Sequence, residues 1–537
     1  MAFYILIIAL VILACLSLSK VSAKLGLPTL LVFIFLGMLF GSDGIVKIPF
    51  DNYTFAEQIC SVALIFIMFY GGFGTNWKQG KSVAAKAILL SSLGVVMTAG
   101  VVGVFCYYVL KFDLLESMLM GSVISSTDAA SVFSVLRSKR LNMKYNTASM
   151  LEIESGSNDP CSNILTVITL SLMSGQSSGW KLTYMVFAQI VYGIIIGIAV
   201  AYAAYFVLKR MKNFADGYDS ILVFAVALIS YAGAAVVDGN GYLSVYITGI
   251  ILGNLPIGNK KSLVHFFDGV TGLVEIVIFF LLGLLSFPSQ LPSIMLPSLL
   301  IALFLTFVAR PVSVFAILSP FRCPINQQMI VAWSGLRGAA SIVFAIMATV
   351  SSAYMKNDVF HVVFFIVLFS ILFQGSLLPF MAKRMKMIDD KSDVMKTFSD
   401  YTEEVPIQFI KQLITFEHPW VNKKIRDIEL LPDVLVVLII REHRQIIPKG
   451  NIVLMAGDTV VLSGPSLNGD ALGSLTEIRI EKDNEWFGKA LSEIKFGQDR
   501  LVVVIKRNNK ILIPRGRTVI REDDVLIINQ TPPHVQV

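Results

Sequence analysis

Two short stretches, SSTDAAS at 125–131 and EIESGSNDP at 152–160, place carboxylates and hydroxyls inside otherwise apolar sequence, and a third, WSGLRGAAS at 333–341, places an arginine there. A charged side chain at mid-bilayer costs about 2.5–3.5 kcal/mol on insertion scales, so residues that bear this cost mark functional sites. Asp128, Glu152, Glu154, Asp159, Glu275, Arg310 and Arg337 form that set. The chemistry such groups offer is exchange: a carboxylate holds either a proton or a monovalent cation. Hydroxyls and carbonyls freed by helix unwinding complete a cation's ligand shell. Small residues around Asp128 suit an unwound stretch. At 100° per residue Ser155 and Asp159 share one helix face, and Glu154 and Asn158 share another. Pro160 removes an N–H where Asp159 projects. Arg337 cannot shed its proton and needs a carboxylate partner. Glu275 faces either an ion cavity or a cation such as Arg310. Glu152 points away from Glu154, toward the mouth of a funnel, and Arg310, beside Pro311, reads as a structural anchor.

The elements that must position these groups are membrane helices. Charged residues are 15% of the chain and mean hydropathy is +0.72, against roughly 25% charged in soluble domains. Apolar stretches fall near 4–19, 27–41, 55–73, 83–110, 114–136, 147–174, 183–208, 218–236, 240–254, 263–286, 291–319, 326–350 and 358–382, about 13 spans. With the N-terminus outside, inward loops carry 18 Lys and Arg and outward loops 4. That split satisfies the positive-inside rule and leaves the C-terminus in the cytoplasm. The formal excess of +7 lies wholly before Lys391, so it reports topology and not a nucleic-acid surface. The five cysteines all lie in the apolar part without metal-ligand spacing and read as small buried side chains.

From Lys391 onward the pattern turns to short β-rich runs that repeat at an offset of 66 residues. Trp420 falls on Trp486, Asp433 on Asp499, Pro448 and Gly450 on Pro514 and Gly516, and Asp458 on Asp524. Each unit reads as a helix-like segment, an apolar strand, a turn and a closing strand, a small α/β module present twice. The expected division is 1–387 membrane domain, 388–404 linker, 405–467 first repeat and 468–537 second repeat.

The motifs TDAAS (127–131), ESGSNDP (154–160), GNGYLSVYITGIILGN (239–254) and GLRGA (335–339), in this order with GGFGTNW, FFDG, GLLSFP and ARP, resemble the monovalent cation–proton antiporters of the NhaP/CvrA branch. The tail resembles two RCK_C (TrkA-C) domains. The resemblance implies an inverted repeat of six helices with spans 5 and 12 as crossing broken helices. It also implies a homodimer in a bacterial inner membrane and a core moving against a scaffold. It makes Asp159, Asn158, Ser155, Thr127 and Asp128 the cation- and proton-binding residues, and Glu154 with Arg337 a structural salt bridge. With Glu154 so held and Asn at 158, Asp159 is the one free central carboxylate, which implies 1:1, electroneutral exchange of K+ or Na+ for H+. Ser157 and Ala129 depart from the family pattern and bear on ion preference. For the tail the resemblance names cyclic di-AMP as a ligand. The basic residues Arg441, Arg444, Lys506 and Arg507 are read as solvated surface charge, with phosphate contact as the alternative. No G-x-G-x-x-G follows a tail strand, so no dinucleotide cofactor is expected. A channel regulated by an RCK-type tail is the competing class, disfavoured because no TVGYG-like filter exists. Five histidines without HExxH, and no nucleophile elbow, argue against an enzyme.

Overall fold

A computed structural model describes residues 2–388 and 407–530, except 26–27, 76, 139–140, 142, 176–178, 211–217, 258–259, 431–433, 442–443, 466–473, 481–483, 485, 495–499, 508–509, 513, 515 and 523. The chain divides into two units, Met1–Thr402 and Glu403–Val537. Asp433, Asp499 and the linker from residue 389 to 404 lie outside the described residues.

The first unit is helical: α1 (Ala2–Leu25), α2 (Thr29–Phe40), α3 (Tyr53–Gly74), the short α4 (Trp77–Gly80), α5 (Ala84–Leu89), α6 (Val95–Tyr108), α7 (Leu114–Val123), α8 (Ala129–Ser138), α9 (Thr147–Met173) and α10 (Gly179–Arg210). Beyond these lie α11 (Tyr218–Val236), α12 (Gly241–Asn254), α13 (Lys260–Leu285), α14 (Leu291–Phe304), α15 (Arg310–Leu318), α16 (Ile325–Trp333), α17 (Ala339–Val350), α18 (Val359–Phe369) and α19 (Ser376–Arg384). Seven of these helical stretches are long and apolar enough to cross a bilayer, and shorter apolar helices include α2, α7 and α17. Three spans continue through one π turn each, at Leu90–Gly94, Leu305–Ala309 and Ser370–Gly375. An extra residue in a turn rotates the remainder of the helix, which is why such bulges gather at functional sites.

Glycines let certain helices meet backbone to backbone. A Cβ on Gly72 would collide with the Tyr246 carbonyl, and one on Gly253 with that of Phe73, so α3 and α12 are in direct main-chain contact. A Cβ on Gly197 of α10 would likewise come within 2.6 Å of the Ser244 carbonyl of α12. No side chain longer than hydrogen fits these places.

Both stretches expected to break do so. The fifth span is interrupted between Val123 and Ala129, and the twelfth between Trp333 and Ala339. The interruptions cross: the Asp128 amide donates to the Leu336 carbonyl at 2.8 Å. The π turn that precedes α19 supports the second break. Ser370 Oγ accepts from the Arg337 amide at 3.1 Å, and the Gln374 side-chain amide donates to the Trp333 carbonyl at 2.5 Å.

In the second unit, β1 (Ile407–Leu413), β2 (Leu435–Arg441), β3 (Arg444–Ile446) and β4 (Thr459–Pro465) form an antiparallel sheet of order β1-β4-β2-β3. Strands β5 (Ser474–Arg479), β6 (Arg500–Arg507), β7 (Lys510–Leu512) and β8 (Val525–Gln530) repeat it as β5-β8-β6-β7. The repetition extends to detail. A bulge falls between Val436 and Leu438 and again between Val502 and Val504. The segments expected to be helix-like are instead single 3-10 turns, Ile425–Asp427 and Leu491–Glu493, among the described residues. Each is too short to bury a helical face and serves as a corner.

Arg441 and Arg507, though partly exposed, are each committed to a buried aspartate. Arg441 donates Nε and Nη2 to the two oxygens of buried Asp458, both at 2.7 Å, and Arg507 does the same to Asp524. Nη2 of each also reaches a carbonyl, Val453 or Val519. Burial would raise both carboxyls, but the arginine and a backbone amide (Met455 or Arg521) outweigh it and hold them below the usual carboxylate range. The side chains of Arg444 and Lys506 lie outside the described residues.

Candidate ion-binding site

The crossed breaks leave unpaired helix ends pointing at one another. Chain direction places the N-termini of α8 and α17, with partial positive charge, beside Asp128. Asp128 caps α8: its carboxylate accepts from Ser131 Oγ at 2.5 Å, and a Cβ on Gly338 would collide with its Oδ2. Residue 338 must therefore be glycine for the two breaks to meet. The opposite need, donors for the carbonyls just past α7, is met by Arg337, whose Nη1 donates to the Ser125 and Ser126 carbonyls at 2.9 and 2.6 Å.

Helix α9 lies against this crossing and presents the second motif to it. Asn158 and Asp159 are both buried. Ser126 Oγ donates to Asp159 Oδ1 in a short hydrogen bond. Asn158 Nδ2 donates to Thr127 Oγ1 at 2.6 Å, and Ser155 Oγ donates to the Thr127 carbonyl at 2.7 Å. The structure thus brings Asp159, Asn158, Ser155, Thr127 and Asp128 together. All of these but Asn158 line a cavity of about 480 Å³ that Glu152, Asp268 and Glu275 also line. The cavity begins at exposed Gly71 and Asp268 and runs inward to Asp159. Glu275 faces this cavity and not Arg310.

One expected pairing is corrected. Glu154 forms its salt bridge with Arg310, not Arg337; both partners are almost fully buried. The π turn Leu305–Ala309 ends immediately before Arg310, and the guanidinium reaches α9 from there. Arg337 has a different employment: its Nη1 serves the carbonyls that the break exposes. Arg310 is an anchor, as its setting beside Pro311 suggests, and Glu154 is what it anchors.

Sequence reasoning passed over Ser126 and Asp268. Ser126 sits within the quoted motif, and its one signal was its place two residues before the acid of an unwound stretch. Asp268 lies in FFDG, where its tyrosine partner Tyr70 (3.1 Å) could be found only from the fold. No cluster of three metal-ligating side chains occurs among the described residues.

Residues 7–384 match the family model described as sodium/hydrogen exchanger, transmembrane, and residues 413–473 and 475–536 each match the TrkA-C domain. The chain is similar to the K(+)/H(+) antiporter NhaP of Alkalimonas amylolytica, 32% identical over 465 residues, 85% of this chain and 80% of that protein. It is similar also to the K(+)/H(+) antiporter NhaP2 of Shewanella sp. strain ANA-3, 32% identical over 467 residues with the same coverage. Among solved structures, the sodium proton antiporter MjNhaP1 of Methanocaldococcus jannaschii at pH 8 shares the fold, with a TM-score of 0.63 and 22% identity across 71% of this chain and 99% of that one. A family match over most of the helical unit, two TrkA-C matches and crossed broken helices around a buried carboxylate agree: this chain belongs to the sodium/hydrogen exchanger family and is a multi-pass membrane cation–proton antiporter with a tandem TrkA-C tail.

Proposed function

We propose that the protein exchanges K+, or Na+ in its place, for H+ in a 1:1, electroneutral cycle of alternating access in a bacterial inner membrane. The observation that carries this reading is Asp159, a buried carboxylate at the inner end of a cavity lined by acids, with a neutral amide, Asn158, beside it. Proton and cation compete for that single carboxylate, so each crossing carries one charge in either direction. Asn158, Ser155 and Thr127 supply oxygens, and Asp128 holds the crossed helix ends in place. The further acids that line the cavity, Glu152, Asp268 and Glu275, concentrate cations in it. The K+ preference is supported by the names of the relatives at 32% identity. Proteoliposomes with the potential clamped independently of the transported ion test the stoichiometry. The expected exchange rate does not change with potential, and a strong voltage dependence overturns 1:1 coupling.

The tail, cytoplasmic by the positive-inside count, regulates the exchanger in a homodimer, and a nucleotide such as cyclic di-AMP is its ligand. Its part is to bias a gate by its differential affinity for two states. A chain truncated after Asp390 is expected to keep ion exchange and lose any response to nucleotide. A well-folded truncation without exchange would place the tail in the transport machinery.

A further inference from the structure

Helices α3, α10 and α12 touch through glycine at main-chain distance, whereas α9 touches α12 through side chains only where contacts are defined. Tyr246 lies on Gly156, with Ser157 Oγ donating to its hydroxyl at 3.3 Å. Four residues past Asp159, the Asn240 side-chain amide donates to Asn163 Oδ1 at 2.9 Å, both residues buried. Asn240 is otherwise committed to the glycine-packed helices. Its Oδ1 caps α12 at the Leu243 amide (2.8 Å), and its backbone amide donates to the Gln189 carbonyl of α10 (3.0 Å). Asn163 lies about 6 Å further along α9 than Asp159, on the side away from the cavity mouth.

We propose that the Asn163–Asn240 hydrogen bond is the latch that keeps Asp159 closed on the side opposite the mouth, and that it opens once per transport cycle. Both groups are positioning residues. They touch no ion, and they set how long the carrier stays in the mouth-open state. A buried amide pair suits that work, because it is directional, uncharged and broken at modest cost when α9 moves along the seam. The inference rests on the alternating-access reading.

The test uses the full chain in membrane vesicles, with the five native cysteines replaced by alanine. Asn163→Cys with Asn240→Cys, joined by a short reducible thiol cross-linker, is expected to lose exchange and regain it on reduction. Ser157→Cys with Tyr246→Cys, joined likewise, separates the two readings. Exchange that persists in the first pair but stops in the second overturns the latch alone. Exchange that persists in both overturns alternating access across this seam. Should the paired variants fold poorly, Asn163→Leu keeps the branched shape and removes the bond. Its ratio of mouth-open to mouth-closed carriers is expected to fall roughly fivefold. The readout is impermeant-thiol labelling of Gly272→Cys in the cavity wall, where an added Cβ meets nothing within 4 Å. Turnover changes, and KM for cation presented on the mouth side rises by no more than the loss of labelling. Unchanged labelling, or an effect confined to KM, overturns the proposal.

Discussion

The chain contains two pairs of matched elements, and the pairs have opposite characters. In the tail, the 66-residue offset carries every feature across. The bulge, the corner and the bidentate pair of Arg441 with Asp458 recur as Arg507 with Asp524. In the membrane, the two breaks share a shape but carry opposite charges, Asp128 in one and Arg337 in the other, each answering helix ends or carbonyls that the crossing exposes. Like copies hold themselves together separately. Unlike copies hold each other, and only the second arrangement leaves a gap between elements in which an ion can sit.

The largest expected effect comes from emptying that gap of its titratable group. Asp159→Asn is expected to reduce cation-dependent proton flux in proteoliposomes to background while the protein stays folded. Robust flux from the purified variant would move the exchange chemistry to another carboxylate.

A smaller effect tests which arginine answers which need. Arg310→Ala strands buried Glu154 and is expected to cost about 3–5 kcal/mol in thermal unfolding, most of it recovered by adding Glu154→Gln. Arg337→Ala is expected to gain less from Glu154→Gln, because Glu154 is paired with Arg310 and Arg337 Nη1 serves carbonyls. Equal rescue of both would show that the two arginines share one carboxylate.

The smallest effect is local to the tail and tests whether its copies are independent. Asp458 and Asp524 have folded values below the ordinary 3.9 or so. Their contribution to stability is present above about pH 3.9 and is lost as pH falls through the lower folded value. Hydrogen exchange on the full chain is expected to show loss of protection in β2, β4, β6 and β8 on acidification. Arg441→Gln is expected to weaken only the first sheet at neutral pH, and Arg507→Gln only the second. Simultaneous loss in both sheets from one substitution would mean the copies fold as one.

Much of this was legible in advance, and unevenly. Small residues, hydroxyls and one charge inside an apolar stretch gave both breaks, because few other reasons keep Asp128 or Arg337 in a membrane. Asp159 stood out as a candidate for the same reason, and Asn158 only through the family resemblance. The partner of Glu154 was not, since Arg310 and Arg337 are chemically alike and choosing between them depends on what each main chain does. The π turn that ends just before Arg310 leaves no mark in residue types, and the carbonyls that occupy Arg337 belong to residues 212 and 211 positions away. In the tail, the repeat was visible but the arginine pairs were not, because a basic side chain at a strand end looks the same whether water or a buried aspartate receives it.

The guanidinium lodged on the Ser125 and Ser126 carbonyls has a consequence for selectivity. Those two oxygens already have a resident cation, tethered by its own backbone and never exchanged. A travelling cation meets them beside a fixed positive charge, which disfavours a cage built on these two carbonyls. In the proposed cycle it must be held by a carboxylate and a few hydroxyl and amide oxygens, with hydration water completing the shell. Discrimination between K+ and Na+ then depends on how readily each ion gives up part of its water to Asp159. That is a softer criterion than cavity size, and single hydroxyl substitutions nearby are expected to change it.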